Sequence, residues 1–284
     1  MQPEEIEAIA HTFITLGVKK IRLTGGEPLV RKEFKDILLR LNKFPVALTL
    51  TTNGLFADQY IREFHEAGVN SLNVSIDTLK PDKFKAITRR DSLQKVWQNI
   101  LLLVDEGFHV KLNIVAMKGV NDDEVLDFVA VTKDLPLHVR FIEFMPFSGN
   151  QWEKDRVVSA KTMLDTVAKK YSFIKLDDKK HATAKKYQVP GYAGTFAFIT
   201  TMSEPFCGDC NRMRLTADGK MKNCLFSKQE ISILDALRKG DDIVPVIKKC
   251  LGMKQAVMGG QFDKTFETVD SAKLQNRSMI HIGG

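Results

Sequence analysis

Between Lys20 and Glu143, apolar runs of strand length alternate with amphipathic stretches of helix length, and few folds satisfy that alternation. Lys20 to Thr24 reads as a strand, Phe34, Ile37, Leu38 and Leu41 recur at helical spacing, and Val46 to Thr52 reads as a second strand. A helix near 57–66 ends at Gly68, Ser71 to Ile76 is a strand, and Leu93 to Val104 is a helix closed by Gly107. Strand Val110 to Ala116, a helix over 122–134 and strand Val139 to Glu143 continue the series. Single helices between strands require crossover connections, so the sheet is parallel, either open and doubly wound or a full or partial (β/α) barrel. Polar segments follow the strand ends at Gly25-Gly26-Glu27-Pro28, Thr52-Asn53-Gly54, Asp77-Thr78 and Met145-Pro146, which is where barrels keep their chemistry. An amphipathic helix, Pro3 to Leu16, precedes the first strand, whereas a strand should precede it, so the sequence is expected to begin in mid-unit.

After about Asn150 the rhythm changes to a helix near 160–170, a polar stretch Asp177 to Lys186, a β-like Thr195 to Thr200 and then a cysteine-bearing region. The chain is therefore divided into residues 1–150, the (β/α) part, and residues 151–284, an extension or second subdomain. No apolar run approaches the roughly 18 residues of a membrane helix. The opening residues show neither a secretory nor a transit-peptide pattern, so they do not indicate a compartment. A net charge of +7 suits an anionic partner such as nucleic acid, an acidic membrane surface or a polyphosphate substrate, and does not choose among them.

Cys207-Gly-Asp-Cys210 and Cys224 give a C-x2-C-x13-C spacing that suits metal or iron–sulfur ligation in a reducing compartment. A redox pair and a structural zinc knuckle are open readings of the same spacing, with Cys250 as a fourth zinc ligand. However, Ile243, Val246, Ile247, Cys250 and Leu251 share one helical face, which reads as core packing. Three thiolates on a cubane cluster leave one iron without a protein ligand, an open position for substrate. Arg212 and Arg214 follow directly and suit bidentate phosphate binding, although surface ion pairing is the bland alternative. Lys111 lies on an otherwise apolar strand and must pair with an anion or reach outward.

Ile21-Arg-Leu-Thr-Gly-Gly-Glu-Pro, Thr51-Thr-Asn-Gly, Asn73-Val-Ser-Ile-Asp, Arg140-Phe-Ile-Glu-Phe-Met-Pro, Phe206-Cys-Gly-Asp-Cys-Asn-Arg-Met-Arg, Cys224-Leu-Phe and the terminal Ile282-Gly-Gly occur in that order. Together they resemble the GTP 3',8-cyclase family, the molybdenum cofactor biosynthesis protein A group of the radical S-adenosylmethionine superfamily, in its animal-like form. The resemblance implies a partial (β/α) barrel with a C-terminal iron–sulfur subdomain. It implies a 4Fe-4S cluster on Cys207, Cys210 and Cys224, GTP contacts from Arg22, Thr51, Lys111, Arg212, Met213 and Arg214, and S-adenosylmethionine contacts from Gly26, Ser75 and Met145. Gly283 and Gly284 match a tail that enters the active site.

The implied reaction is radical cyclisation of GTP to (8S)-3',8-cyclo-7,8-dihydroguanosine 5'-triphosphate, with cyclic pyranopterin monophosphate synthase as the downstream partner. A homodimer, a mitochondrial matrix location or otherwise a cytoplasmic one, and no membrane or nucleic-acid partner are also expected. Family members open with a strand and a C-x3-C-x2-C loop that generates the radical. No cysteine precedes residue 207 here, so the chain is read as N-terminally incomplete, no residue is assigned to radical generation, and the chain alone is expected to be inactive. Two readings from other classes are a zinc-containing basic nucleic-acid-binding protein and a (β/α) barrel lyase using Lys111 on a phosphorylated sugar.

Overall fold

The computed structural model describes residues 1–261 and 275–283. Helix α1 (Pro3–Thr15) starts on a proline that needs no hydrogen bond there, and the Gln2 N–H donates to Glu5 Oε2 at 2.6 Å. Gly17, at φ +97°, turns the chain out of it. The alternation then runs β1 (Lys20–Leu23), α2 (Phe34–Asn42), β2 (Ala47–Thr52), α3 (Ile61–Glu66), β3 (Ser71–Ser75), α4 (Pro81–Thr88), α5 (Leu93–Asp105), β4 (His109–Ala116), α6 (Val125–Val131) and β5 (His138–Glu143). Two helices are shorter than the sequence suggests. The stretch over 57–66 begins as a 3-10 turn, Ala57–Tyr60, and that over 122–134 begins as another, Asp122–Glu124.

Helix α7 (Ala160–Ala168) leads to β6 (Ile174–Lys175), β7 (Lys185–Gln188) and β8 (Thr195–Ile199). The main sheet has the order β1-β2-β3-β4-β5-β8-β7-β6. Strands β1 to β5 and β8 are mutually parallel, and beyond β8 the strand β7 adds antiparallel to it and β6 antiparallel to β7. The sheet is thus mixed at one edge, and β8, which lies beyond residue 150, is its sixth parallel strand.

Leu48, Leu50, Leu72, Val110, Leu112 and Val139 are buried on one sheet face in a single core with Phe34, Phe64, Ile100 and Phe128 from the helices. Covering one face only is barrel-like packing, because an open doubly wound sheet is covered on both. A second sheet of order β11-β10-β9 comprises β9 (Arg214–Leu215), β10 (Lys220–Lys222) and β11 (Ile231–Ser232). Against it lie α8 (Ile233–Lys239) and α9 (Val244–Gly252), and the described tail ends in α10 (Met279–Ile282). No helix among the described residues is long and apolar enough to cross a membrane.

Candidate functional site

Alternation along the strands sends polar side chains to the face opposite the helices. The parallel register sets Thr51, Asn73, Lys111, His138 and Thr195 abreast on it, with Asn113 and Arg140 abreast one step further along. Asn73 Nδ2 donates to Thr51 Oγ1 at 3.1 Å, and Lys111 Nζ donates to Ser71 Oγ at 2.5 Å. Arg140 Nη2 donates to Asn113 Oδ1 at 2.5 Å, while Arg140 Nε is buried with no partner. A polar atom buried without a partner costs about 1–3 kcal/mol and marks a place where something else belongs.

Among the described residues no carboxylate pairs with Arg22, Lys111, Arg140, Arg212 or Arg214, and like charge surrounds them instead. Burial, then Arg140, Arg22, Lys20 and Lys186, hold the Lys111 ammonium down to about 8. Burial and Arg22 bring Arg140 to about 10, and burial with Arg212 and Arg22 brings Arg214 to about 10. Arg22 is exposed, yet burial by the atoms around it and then Arg212 lower its pKa as well. Such a cluster of cations suits a polyanion.

Lys111 is charged below about 8, and a bound anion would favour that form. Tripolyphosphate affinity is therefore expected to be greatest below pH 8 and to fall as pH rises through it. Isothermal titration at pH 7 and 9 checks this, and an affinity that rises with pH would contradict it.

Next to Arg212, Cys207, Cys210 and Cys224 are free, half-buried thiols, and Cys207 and Cys224 pack with Phe144, Phe147, Trp152, Met202 and Phe226. Burial raises the Cys224 thiol and the nearby Cys207 and Cys210 charges add to this, against the Phe226 N–H. At Cys210 burial acts in the same direction, but the backbone N–H and guanidinium of Arg212, with Lys254, carry the thiol below its ordinary value. Arg212 Nη2 stands 3.5 Å from Cys210 Sγ, with its guanidinium 5.1 Å from the Phe206 ring centroid. Among the described residues no three His, Cys, Asp or Glu side chains converge as a single ion needs. Cys250 is buried with Ile243 and Ile247, away from the other three, in the core position its helical spacing suggests.

Met213 lies partly buried in that same small core between Arg212 and Arg214. At the strand ends, Gly26 and Ser75 are exposed, and Met145 is partly buried against the cysteine pocket. Glu27 closes the β1 loop by accepting from Leu29 N at 3.0 Å, Thr52 Oγ1 at 2.7 Å and Asn53 N at 2.6 Å. The tail reaches this end too, because Arg214 Nη1 donates to the carbonyls of Ile282 and Gly283, and Ile280 lies against Gly26. Gly283, at φ +77°, leaves no room for a Cβ beside Thr24 Oγ1. Gly284 lies outside the described residues. Sequence reasoning missed Arg140 as a site residue, although its in-phase position two residues after His138 on β5 was the available signal.

Residues 1–131 match the Radical SAM superfamily model, and residues 137–259 match Molybdenum Cofactor Synthesis C. The chain is 43% identical to the mitochondrial GTP 3',8-cyclase of Arabidopsis thaliana over 291 residues, covering 100% of this chain and 73% of that protein. It is 40% identical to the GTP 3',8-cyclase of Alkaliphilus oremlandii (strain OhILAs), covering 99% and 86%. This chain belongs to the GTP 3',8-cyclase family. Molybdenum cofactor biosynthesis protein 1 of Mus musculus is 45% identical over 287 residues, and the chain covers only 44% of that protein's length. Cyclase-family membership supports neither the zinc nucleic-acid-binding reading nor the sugar-phosphate lyase reading.

Proposed function

We propose that this chain supplies the GTP-binding half of a GTP 3',8-cyclase reaction in molybdenum cofactor synthesis. The observation that carries the proposal is the cluster of Arg22, Lys111, Arg140, Arg212 and Arg214, without carboxylate partners among the described residues, adjoining three free thiols. In this reading the guanidiniums and Lys111 hold the triphosphate, with Thr51 beside them and Met213 fixing the arginine strand. A cubane cluster attaches each thiolate to a different iron, and Cys207 and Cys210 lie near enough to Cys224 for their charges to act on it. Cys207, Cys210 and Cys224 would hold that cluster, whose open iron supplies a coordination site for the guanine base. Gly26, Ser75 and Met145, at one end of the sheet, would hold S-adenosylmethionine, and the tail through Gly283 would cover them.

The division into residues 1–150 for S-adenosylmethionine and 151–284 for the cluster is part of the same reading. A mitochondrial location is supported by the likeness to the plant protein named for it. A homodimer and delivery of product to cyclic pyranopterin monophosphate synthase complete the proposal.

These 284 residues contain no cysteine before Cys207 to hold a cluster against S-adenosylmethionine. The chain by itself is therefore expected to bind GTP and to form no 5'-deoxyadenosine from S-adenosylmethionine, GTP and dithionite. Anaerobic reconstitution followed by iron, sulfide and zinc analysis tests the cluster, with about four irons and four sulfides expected per chain. Stoichiometric zinc without iron would overturn the cluster, and 5'-deoxyadenosine in the reaction would overturn the stated division of labour.

A further inference from the structure

One stretch, Lys254 to Gly260, touches all three cysteine-bearing segments. Lys254 Nζ donates to the Cys210 carbonyl at 2.5 Å, and the Met258 N–H donates to Cys207 Sγ at 3.3 Å. Gly259, at φ +65°, lies backbone to backbone on the segment after Cys224, where a Cβ would come within 2.5 Å of Phe226 C and 2.6 Å of Ser227 N. Helix α9 delivers this stretch and is itself tied to the residue before Cys224, because Asn223 Nδ2 donates to the Cys250 carbonyl at 2.7 Å. The Met258 side chain is buried in the apolar pocket that Cys207 and Cys224 line. Lys254 has no carboxylate partner among the described residues, and its charge acts on both Cys210 and Cys224. A carbonyl fixes the ammonium without neutralising it.

We propose that Lys254 is a positioning residue for the iron–sulfur cluster, and that the Lys254–Gly260 stretch aligns the three cysteines and raises the cluster's reduction potential. The inference rests on the cluster reading given above. Reduction adds negative charge to a centre already carrying three thiolates, so a fixed cation and an N–H donated to sulfur both favour the reduced form. Removing the cation should lower the potential, while removing the backbone contact at Gly259 should disturb alignment.

The test uses the full chain reconstituted anaerobically with iron and sulfide, comparing Lys254→Met, Lys254→Arg and Gly259→Ala. In Lys254→Met the ratio of reduced to oxidised cluster at a fixed mediator poise, read by electron paramagnetic resonance, is expected to fall about tenfold. Lys254→Arg should restore it. Gly259→Ala should lose most of its iron and sulfide while keeping the far-ultraviolet circular dichroism of the α/β fold. If Lys254→Met takes up no cluster, recovery of loading in Lys254→Arg supports positioning by the cation, and failure to recover refutes it. Wild-type protein that binds no iron overturns the cluster reading itself. Wild-type protein that binds it while Lys254→Met matches it in loading and poise overturns this inference alone.

Discussion

Arg140→Met is expected to stabilise the anion-free chain and to weaken its binding of GTP about 100-fold, two effects of opposite sign from one substitution. The guanidinium is largely enclosed on β5 with Nε unpartnered, and the charge that acts on it, Arg22, is repulsive. Enclosing a charge without a counter-ion costs several kcal/mol, and an apolar side chain of similar length avoids most of that. The same geometry makes Arg140 valuable once a phosphate enters, because a charge-assisted bond in a desolvated place contributes roughly 1.5–3 kcal/mol. Melting temperature without ligand and titration with GTP report the two halves separately. A less stable variant with unchanged affinity would show instead that the bond to Asn113 is the purpose of the side chain.

Glu143→Ala should cost roughly 3–6 kcal/mol in urea unfolding, the largest loss expected for any single change considered. Glu143 is 0% exposed at the end of β5. Its Oε1 accepts from Ala160 N at 2.9 Å and Ser203 Oγ at 2.5 Å, and its Oε2 accepts from Met202 N and Ser203 N, both at 2.8 Å. Alanine would leave three backbone N–H groups with no acceptor in a closed interior. Glutamine should cost less but still lose stability, since half of its amide turns a donor toward donors. Met202 is packed in the cysteine pocket, so iron uptake by the alanine variant should fall as well. A penalty under about 1 kcal/mol would mean that water takes the place of the carboxylate.

The parallel strands were legible because each is covered by helices on one face. Leu48 and Leu50, or Val110, Leu112 and Ile114, announce themselves as apolar residues at alternate positions, and the polar residues between them mark the opposite face. Helix α4 escaped notice because Phe84 is its only buried side chain and too little of it faces a core to leave a period. Strands β6 and β7 are short, and every residue in them is partly or fully exposed, so neither face carries a pattern. The Glu27 and Glu143 clamps depend on partners far away in sequence, which no local period encodes. The cysteine block was readable from spacing, whereas the Lys254–Gly260 stretch that holds it became visible only through contacts made across the fold.

The position of β8 also governs how the molecule is made. Strand β5 has β4 on one side and β8 on the other, and nothing synthesised between them takes β8's place in the sheet. While the ribosome is still translating residues 144 to 194, the nascent sheet therefore carries an open edge at β5, where backbone groups are free to pair with another chain. A pause or premature stop in that window would yield a species with its first five strands complete and this edge uncovered, a natural client for chaperones, until residues 195–199 arrive and pair with it.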